Sequence, residues 1–505
     1  MLSARLVARP SGAVVIDGTG YPPAAVGGGT TGYLVELDSR GLIATHHANP
    51  GPTAWQQPGS STAVRVYFDR ELSDTAARLL LDWIDMRDGT VILAAFDASA
   101  HFAAMGACGT VSPNASAFVT PDDAHVWVIR TGCTGEHALH VIARDGSEPL
   151  GPAGISISAP LGSGAAGDVP GLPLHAATSI AFDGSLWIVT ERAGTASDTQ
   201  VGLRASRYAV DGRLMALSQV LVDPPLVLRQ PATGGGDAPD GWGIWAEPDA
   251  DGALLFHLGA HHPASDQLAS HFARVAPDGS VAWRWTSPPG MGAFSDSLDS
   301  PIARDTAGGV FAALGAFSAR TQLTVVHIDR DGHASPLDTA DFISTEGLNV
   351  PGVVDPITFA DVAPDDAGGF FLLARPLIPM LTHFDSHHVR TWPSSIGDPR
   401  QDPVTSFAPD PHTGLNWMQM EADAQGGVWI AENQGDTFTT FFQHIDRDGW
   451  PLFWQQLVSC DAHRRVLLRP SAGDMPIGFW ETAWPREMSA DVGIDAGSSV
   501  TDGGT

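Results

Sequence analysis

Short apolar runs opened by a glycine return along the chain at roughly sixty-residue intervals. They are SGAVVID (11–17), DGSLWIV (183–189), DGALLFH (251–257), GGVFAAL (308–314), GGFFLLA (368–374) and GGVWIAE (426–432). A second run follows each start and usually ends on a turn: YLVELDSRG (33–41), SRYAVDG (206–212), HFARVAPDG (271–279), VVHIDRDG (325–332), LTHFDSHH (381–388) and FQHIDRDG (442–449). The runs are rich in Val, Ile, Phe and Trp and bounded by Gly, Asp or Pro, which is how a strand covered on both faces reads. The pairs Asp211-Gly212, Asp278-Gly279, Asp331-Gly332 and Asp448-Gly449 are hairpin signals, since Gly takes a positive φ freely and Asp bonds its own turn. A unit of this length cannot bury its own apolar face and must stack on its neighbours. Radial stacking of four-stranded units makes a β-propeller. The pattern therefore predicts a mainly β chain, a divergent six- or seven-bladed β-propeller without WD or kelch signatures. Its first blade lies over 1–50 and the others over 149–487.

The stretch between Gly12 and Gly184 is too long for one blade, and a different periodicity appears in it. In SDTAARLLLDWIDMRDG (73–89), Leu72, Ala76, Leu79, Leu80, Trp83 and Ile84 fall on one helical face. Ser73 or Asp74 can cap the start, and Gly89 suits the end. The spacing predicts a helix over 73–87 between the apolar strands AVRVYFD (63–69) and TVILAAFD (90–97). Strand–helix–strand is α/β grammar, so residues 51–148 read as a small inserted α/β domain.

The same residues carry a family resemblance. VYFDRELSDTAARLLLDWIDMRDGTVILAAFD (66–97), then MGACG (105–109) and AHVWVIRTG (124–132), resemble the globular domain of the interleukin-like EMT inducer and pancreatic-derived factor family (ILEI/PANDER). The matching positions are Phe68-Asp69, Gly89-Thr90, Val91 to Ala95, Gly106 to Gly109, and Trp127-Val128-Ile129. The segment between Asp97 and Gly106 is shorter than in that family, and its cysteine pairing is not fully reproduced. The resemblance implies recognition of carbohydrate or of a protein surface. It also places Cys108 and Cys133 at one end of a small sheet, where a disulfide could bridge them. A competing reading takes DDAHVWVI (122–129) and HVIARDG (140–146) as one more blade, because His125 is in phase with the repeat. The inserted domain is preferred, since a shorter helix-bearing fragment would struggle to bury enough surface alone.

Composition narrows the partners. The net charge is −30, and all 27 basic residues are Arg. Such a field repels phosphate backbones and anionic lipid, which argues against nucleic acid. No run approaches the length of a membrane span, and the start lacks the apolar core of a signal peptide. A cytosolic chain and a chain whose biological start lies elsewhere both remain open. A Cys108–Cys133 disulfide would favour a secreted or periplasmic location, whereas Cys460 reads as a buried apolar residue. The tail 488–505 has few apolar residues and no period, and is expected to be disordered.

Candidate chemistry is sparse. The sequence holds no GxSxG elbow, phosphate loop, HExxH or CxxC. The pairs His46-His47, His261-His262 and His387-His388 offer at most one ligand each, because adjacent strand residues face opposite ways. His137 and His140 could meet only on a helix. Asp249-Ala250-Asp251-Gly252 and Asp329-Arg330-Asp331-Gly332 lack the later ligands of a calcium loop and read as hairpin turns. No metal and no cofactor is expected.

Trp187 and Trp429 occupy strand-core positions. Trp242, Trp245, Trp283 and Trp285 lie near connections that could reach a propeller face, and are the candidate binding residues. No polar position is seen to repeat inside the strands in a way that would converge acids or histidines. The expected function is therefore non-enzymatic binding of a glycan or protein ligand through the inserted domain and the propeller loops. A propeller-type polysaccharide lyase or hydrolase and an intracellular interaction scaffold are the alternatives.

Overall fold

The structure is a computed structural model. It describes residues 3–9, 11–20, 31–39, 43–49, 61–69, 78–86, 90–97, 114–131, 137–151, 154–157, 177–192, 200–218, 226–227, 244–261, 268–293, 302–316, 319–337, 359–365, 367–375, 380–392, 415–423, 425–434, 439–449, 451–458 and 465–468. All regular structure among the described residues is β. No helix there is long and apolar enough to cross a membrane.

The described strands form eight antiparallel sheets, numbered here in chain order. Sheet 1 holds β1 (Ser3–Ala8), β2 (Val14–Gly20), β3 (Thr31–Leu37) and β4 (Ile43–Asn49). Sheet 2 holds β5 (Thr62–Asp69), β6 (Arg78–Asp85) and β7 (Val91–Asp97), and sheet 3 holds β8 (Asn114–Val119), β9 (His125–Thr131), β10 (His137–Ala143) and β11 (Ile155–Ile157). Sheet 4 holds β12 (Ala177–Ile180), β13 (Leu186–Arg192), β14 (Gln200–Tyr208) and β15 (Leu214–Ser218), with the short β16 (Leu226–Val227) on β14. Sheet 5 holds β17 (Ile244–Pro248), β18 (Leu254–His261), β19 (Leu268–Val275) and β20 (Val281–Thr286). Sheet 6 holds β21 (Met291–Ala293), β22 (Ile302–Arg304), β23 (Val310–Ala316), β24 (Ala319–Ile328) and β25 (Ala334–Pro336). Sheet 7 holds β26 (Phe359–Pro364), β27 (Phe370–Arg375) and β28 (Met380–Phe384). Sheet 8 holds β29 (Leu415–Ala422), β30 (Val428–Gln434), β31 (Thr439–Ile445), β32 (Pro451–Val458) and β33 (Arg465–Leu468).

The sheets fall into two compact units. One, residues 1–54 with 398–505, contains sheets 1 and 8; the other, residues 55–397, contains sheets 2 to 7. Among the described residues of the larger unit, the core clusters are layers between consecutive sheets. Val126 and Val128 pack towards Leu79, Leu81 and Trp83 of sheet 2, while Trp127 and Ile129 pack towards Leu186 and Ile188 of sheet 4. Leu254, Phe256 and Leu258 meet Trp187 and Val189 of sheet 4, and Leu255 meets Val310 and Leu314 of sheet 6. Phe311 and Ala313 then meet Phe370 and Leu372 of sheet 7. Successive residues point to opposite faces, so a strand between two sheets must be apolar throughout, as the glycine-led runs are. Four-stranded meanders packed face to face are the build of β-propeller blades, and the chain is a divergent β-propeller of the mainly β class.

The predicted helix is absent. Residues 78–85 form β6, paired with β5 from Thr62↔Asp85 to Asp69↔Arg78. Residues 73–77 lie outside the described residues. Leu79, Leu81 and Trp83 point into the layer shared with sheet 3, and Leu80 and Ile84 are buried on the other face. A run apolar on both faces satisfies either period, and the waiting edges of β5 and β7 decide for the strand. On that second face Asp82 is held by Arg65, whose Nε donates to it at 2.6 Å, and by the amide of Ala95, also at 2.6 Å. The inserted ILEI/PANDER-like α/β domain therefore falls. Its residues divide between two all-β sheets, and 122–146 take the place of a further blade.

Candidate functional site

A polar device repeats inside the sheets. In sheets 4 to 8 a cationic or imidazole side chain stands two residues before the second hairpin turn: Arg207, Arg274, His327, His383 and His444. Each lies directly across its strand pair from a large apolar residue: Trp187, Leu255, Phe311, Phe371 and Trp429 respectively. The His444 ring stacks on Trp429 at 4.3 Å and 6°, and His327 stacks on Phe311 at 4.5 Å and 19°. His383 lies 4.7 Å from Phe371, and the Arg207 guanidinium sits 5.7 Å above Trp187. The strand pairing thus delivers each polar head to the neighbouring first turn.

An aspartate waits there. His327 Nε2 donates to Asp305 at 2.9 Å, His383 Nε2 to Asp365 at 2.7 Å, and His444 Nε2 to Asp423 at 2.5 Å. Arg274 donates to Asp249 at 2.8 Å. In sheet 4 the acid is displaced to Asp183, 2.8 Å from Arg207. The second carboxylate oxygen holds the turn itself. Asp423 Oδ1 accepts from the amides of Gln425 at 2.8 Å and Gly427 at 2.7 Å, and Asp365 Oδ1 accepts from Ala367 at 3.0 Å and from Gly369. The first turn in sheets 6 to 8 runs Asp-x-x-Gly-Gly, with the first glycine at φ +96° (Gly308), +89° (Gly368) and +87° (Gly426). A Cβ on the second glycine would meet a backbone carbonyl at 2.3 Å (Gly309), 2.1 Å (Gly369) and 2.4 Å (Gly427). Both glycines are thus required by geometry.

Electrostatics follow from this wiring. Burial opposes ionisation of Asp305, Asp365 and Asp423, but the histidine hydrogen bond and the turn amides outweigh it. All three carboxyls are held below the usual carboxylate range. These acids and imidazoles resemble general acid–base pairs, yet each carboxylate is nine-tenths or more buried and engaged by backbone amides. They latch the turn to the sheet.

Tryptophans tie one sheet to the next. Trp127 Nε1 donates to the Gly184 carbonyl at 3.0 Å, Trp187 to Gly252 at 3.1 Å, and Trp283 to Arg330 at 2.9 Å. Within the smaller unit Trp429 donates to Gly12 at 3.2 Å. In the larger unit Arg330 also donates to Asp251 at 2.7 Å, and that carboxylate takes Arg274 at 2.6 Å.

A histidine–serine contact invites a catalytic reading. His257 Nε2 lies 3.0 Å from Ser270 Oγ. Both residues are buried, Ser270 completely. Burial first, and then the neighbouring His271, push the His257 imidazole down to about 3. A base so weak cannot take a proton from serine near neutral pH, and a substrate has no path to a fully buried hydroxyl. The contact is a core pair.

The candidate binding residues are partly brought together. Trp283 is buried in the layer between sheets 5 and 6, and Trp245 and Trp285 pack against that layer while partly exposed. Trp242, Cys108 and Cys133 lie outside the described residues, as does the tail. His387 is exposed and His388 adopts φ 59° in a turn. Asp329 Oδ1 accepts the amides of Asp331 and His333, both at 2.9 Å, so this Asp-x-Asp-Gly segment acts as a turn. The repeated latch escaped the sequence reading, although a signal existed. Aligning the second turns, rather than the first glycines, puts Arg207, Arg274, His327, His383 and His444 in one column.

No family model matches the chain, and no curated protein matches it. Solved structures do. The β-propeller domain of the Trilobed protease from Pyrococcus furiosus matches at 10% identity over 78% of this chain and 99% of that one, with a TM-score of 0.38. Prolyl oligopeptidase B from Galerina marginata matches at 11% identity over 93% of this chain and 50% of that one, with a TM-score of 0.41. TolB from Acinetobacter baumannii matches at 11% identity over 94% and 80%, with a TM-score of 0.29. The chain spans about half the length of the prolyl oligopeptidase B chain. Likenesses this distant carry no argument about this chain.

The functional expectation is corrected with the fold. Non-enzymatic recognition of a glycan or protein surface rested on an inserted α/β domain, and those residues are β5 to β10 of two sheets. The solved structures named above are peptidase propellers and TolB, none of them a polysaccharide enzyme or a scaffold.

Proposed function

We propose that this chain is a peptidase-type propeller whose acidic connecting segments receive cationic peptide segments for a hydrolytic domain or partner. The supporting observation is a division of labour between the two ends of the sheets. In a meander, the links joining strands one to two and three to four lie at one end. Those links are the tight turns just described, where Asp249, Asp305, Asp365 and Asp423 are held by Arg or His. The links joining strands two to three, and each sheet to the next, emerge at the opposite end. Three of the sheet-to-sheet links are long and acidic in sequence. Residues 219–243 carry Asp223, Asp237 and Asp240 against Arg229. Residues 338–358 carry Asp338, Asp341, Glu346 and Asp355 with no Arg, and 393–414 carry Asp398, Asp402 and Asp410 against Arg400. With a chain charge of −30, such acidic segments attract cations and repel anions. The peptidase context is drawn from the names of the similar propellers and is what the experiment examines. Fluorescence anisotropy with an Arg-rich peptide and a Glu-rich peptide of equal length is expected to show saturable binding of the first alone. That binding should weaken as salt rises and with Asp338→Asn, Asp341→Asn and Glu346→Gln combined. Equal binding of both peptides, or of neither, would overturn the reading.

A further inference from the structure

One turn of the larger unit departs from the rest. The second turn of sheets 3 to 6 lies against the sheet before it, with a glycine at the point of contact. These glycines are Gly146, Gly212, Gly279 and Gly332, with φ between +81° and +90°. Three of the contacts have no room for a side chain. A Cβ would meet Leu150, in the link between β10 and β11, at 2.8 Å (Gly212), the backbone of Leu217 in sheet 4 at 2.9 Å (Gly279), and Trp283 of sheet 5 at 2.7 Å (Gly332). In sheet 7 the same place holds His388, at φ +59°. A residue other than glycine is uncommon there, so contacts of its side chain must offset the strain.

The imidazole of His388 occupies the space that the other contacts lack. Its ring lies 5.2 Å from that of His327 at 73°, and 6.1 Å from that of Phe311 at 88°, both on sheet 6. Phe370 of its own sheet is 6.3 Å away. Behind His327 stands Asp305, which accepts from His327 Nε2 at 2.9 Å. The turn itself adds His387 and Asp385, whose Oδ1 accepts the amides of His387 and Val389, both at 2.9 Å. His383 lies on the opposite face of sheet 7, against Phe371 and Trp392. Both carboxylates near His388 are thus already engaged, and the rings around it suit a neutral imidazole. Burial, then His327, hold His388 below its ordinary value of 6.5; Asp305 and Asp385 pull the other way, and His387 adds to the lowering. A proton bound more weakly in this seat than in water favours leaving it. Seating is therefore complete above about pH 6.5 and is lost as pH falls through the lowered value.

We propose that His388 is a proton-controlled catch, seated as a neutral ring on His327 and Phe311 near neutral pH and released with its turn on mild acidification, while the strands of sheets 6 and 7 stay paired. The test is amide hydrogen exchange of the full chain, followed by mass spectrometry at about pH 7.5 and about pH 5.5 and corrected for the intrinsic pH dependence of exchange. The readout is the segment 386–391, with β13 and β27 as references in the same molecule. On acidification this segment is expected to lose protection several-fold more than the references do. His388→Asn tolerates a positive φ and does not titrate in this range, so it should remove the excess. His388→Gly, the residue of the other second turns, should remove it too. Equal loss in the segment and in β27 would overturn the proposal, because the whole sheet would then be loosening. An excess that survives both replacements of His388 would overturn it as well, since the proton would then be sensed elsewhere.

Discussion

Replacing Asp423 by Ala removes the centre of the most completely buried latch. Asp423 and His444 are each about 2% exposed. The change orphans three donors at once: His444 Nε2 at 2.5 Å and the amides of Gln425 and Gly427 at 2.8 and 2.7 Å. Each buried donor left unsatisfied costs about 1–3 kcal/mol, and truncating one partner of a buried pair costs about 3–5 kcal/mol. Water entering the vacated space offsets part of the sum, so a loss of about 3–5 kcal/mol is expected. The chain is two compact units, which makes a single global unfolding energy ill-defined. Amide hydrogen exchange of residues 423–430 is the better assay, with thermal melting beside it. Exchange there should accelerate by about two to three orders of magnitude, while β18 and β23 keep their protection. Asp423→Asn, which keeps one acceptor oxygen for the turn, should fall between. Asp278 supplies the control, because it accepts only from Ser280 in an exposed turn, and its replacement should leave melting nearly unchanged. If Asp423→Ala and Asp278→Ala behave alike, the latch is not a stabilising device.

Trp187→Ala should cost about 3–5 kcal/mol, since the ring is fully buried between sheets 4 and 5. Trp187→Phe should cost less, losing mainly the bond to Gly252, as thermal melting would show. Trp83→Ala should cost a similar amount, and circular dichroism of the variant should show loss of strand rather than of helix signal. Stability should fall on acidification in two stages. His257 stays neutral until about 3 while its unfolded form binds a proton near 6.5, so the first loss begins below about pH 6.5 and His257→Leu should flatten it. Asp305, Asp365 and Asp423 have lowered pKa values. Their contribution is intact above the ordinary value of 3.8 and disappears as pH falls through the folded values. Melting temperatures that rise on acidification would contradict both assignments.

The repeat was legible because a strand covered on both faces must be apolar at every position, and because Asp-Gly turns need particular residues. LLFHLGA and FFLLAR have no polar face to mislead the eye, and they became β18 and β27. RLLLDWID was misleading for the same reason. With Leu79 to Leu81, Trp83 and Ile84 all buried, its pattern fits both periods, and the flanking strands β5 and β7 decide. The latch was hidden because its members lie about twenty residues apart (Asp305 and His327, Asp423 and His444). A spacing of that kind fits no short motif and acquires meaning only when β24 and β31 fold back beside β23 and β30. The clasp from Trp429 to Gly12 spans nearly the whole sequence and leaves no local trace.

The central claim is that the sheets within each compact unit are fastened by aspartate latches and indole clasps, and that the smaller unit sets the first sheet of the chain against its last. A crystal structure of the full chain tests it most directly. The account predicts residues 78–85 as a strand between β5 and β7, Asp423 bonded to His444, and the Trp429 indole donating to the Gly12 carbonyl. A helix over 73–87, or sheet 1 lying away from sheet 8 with Trp429 facing another partner, would contradict it.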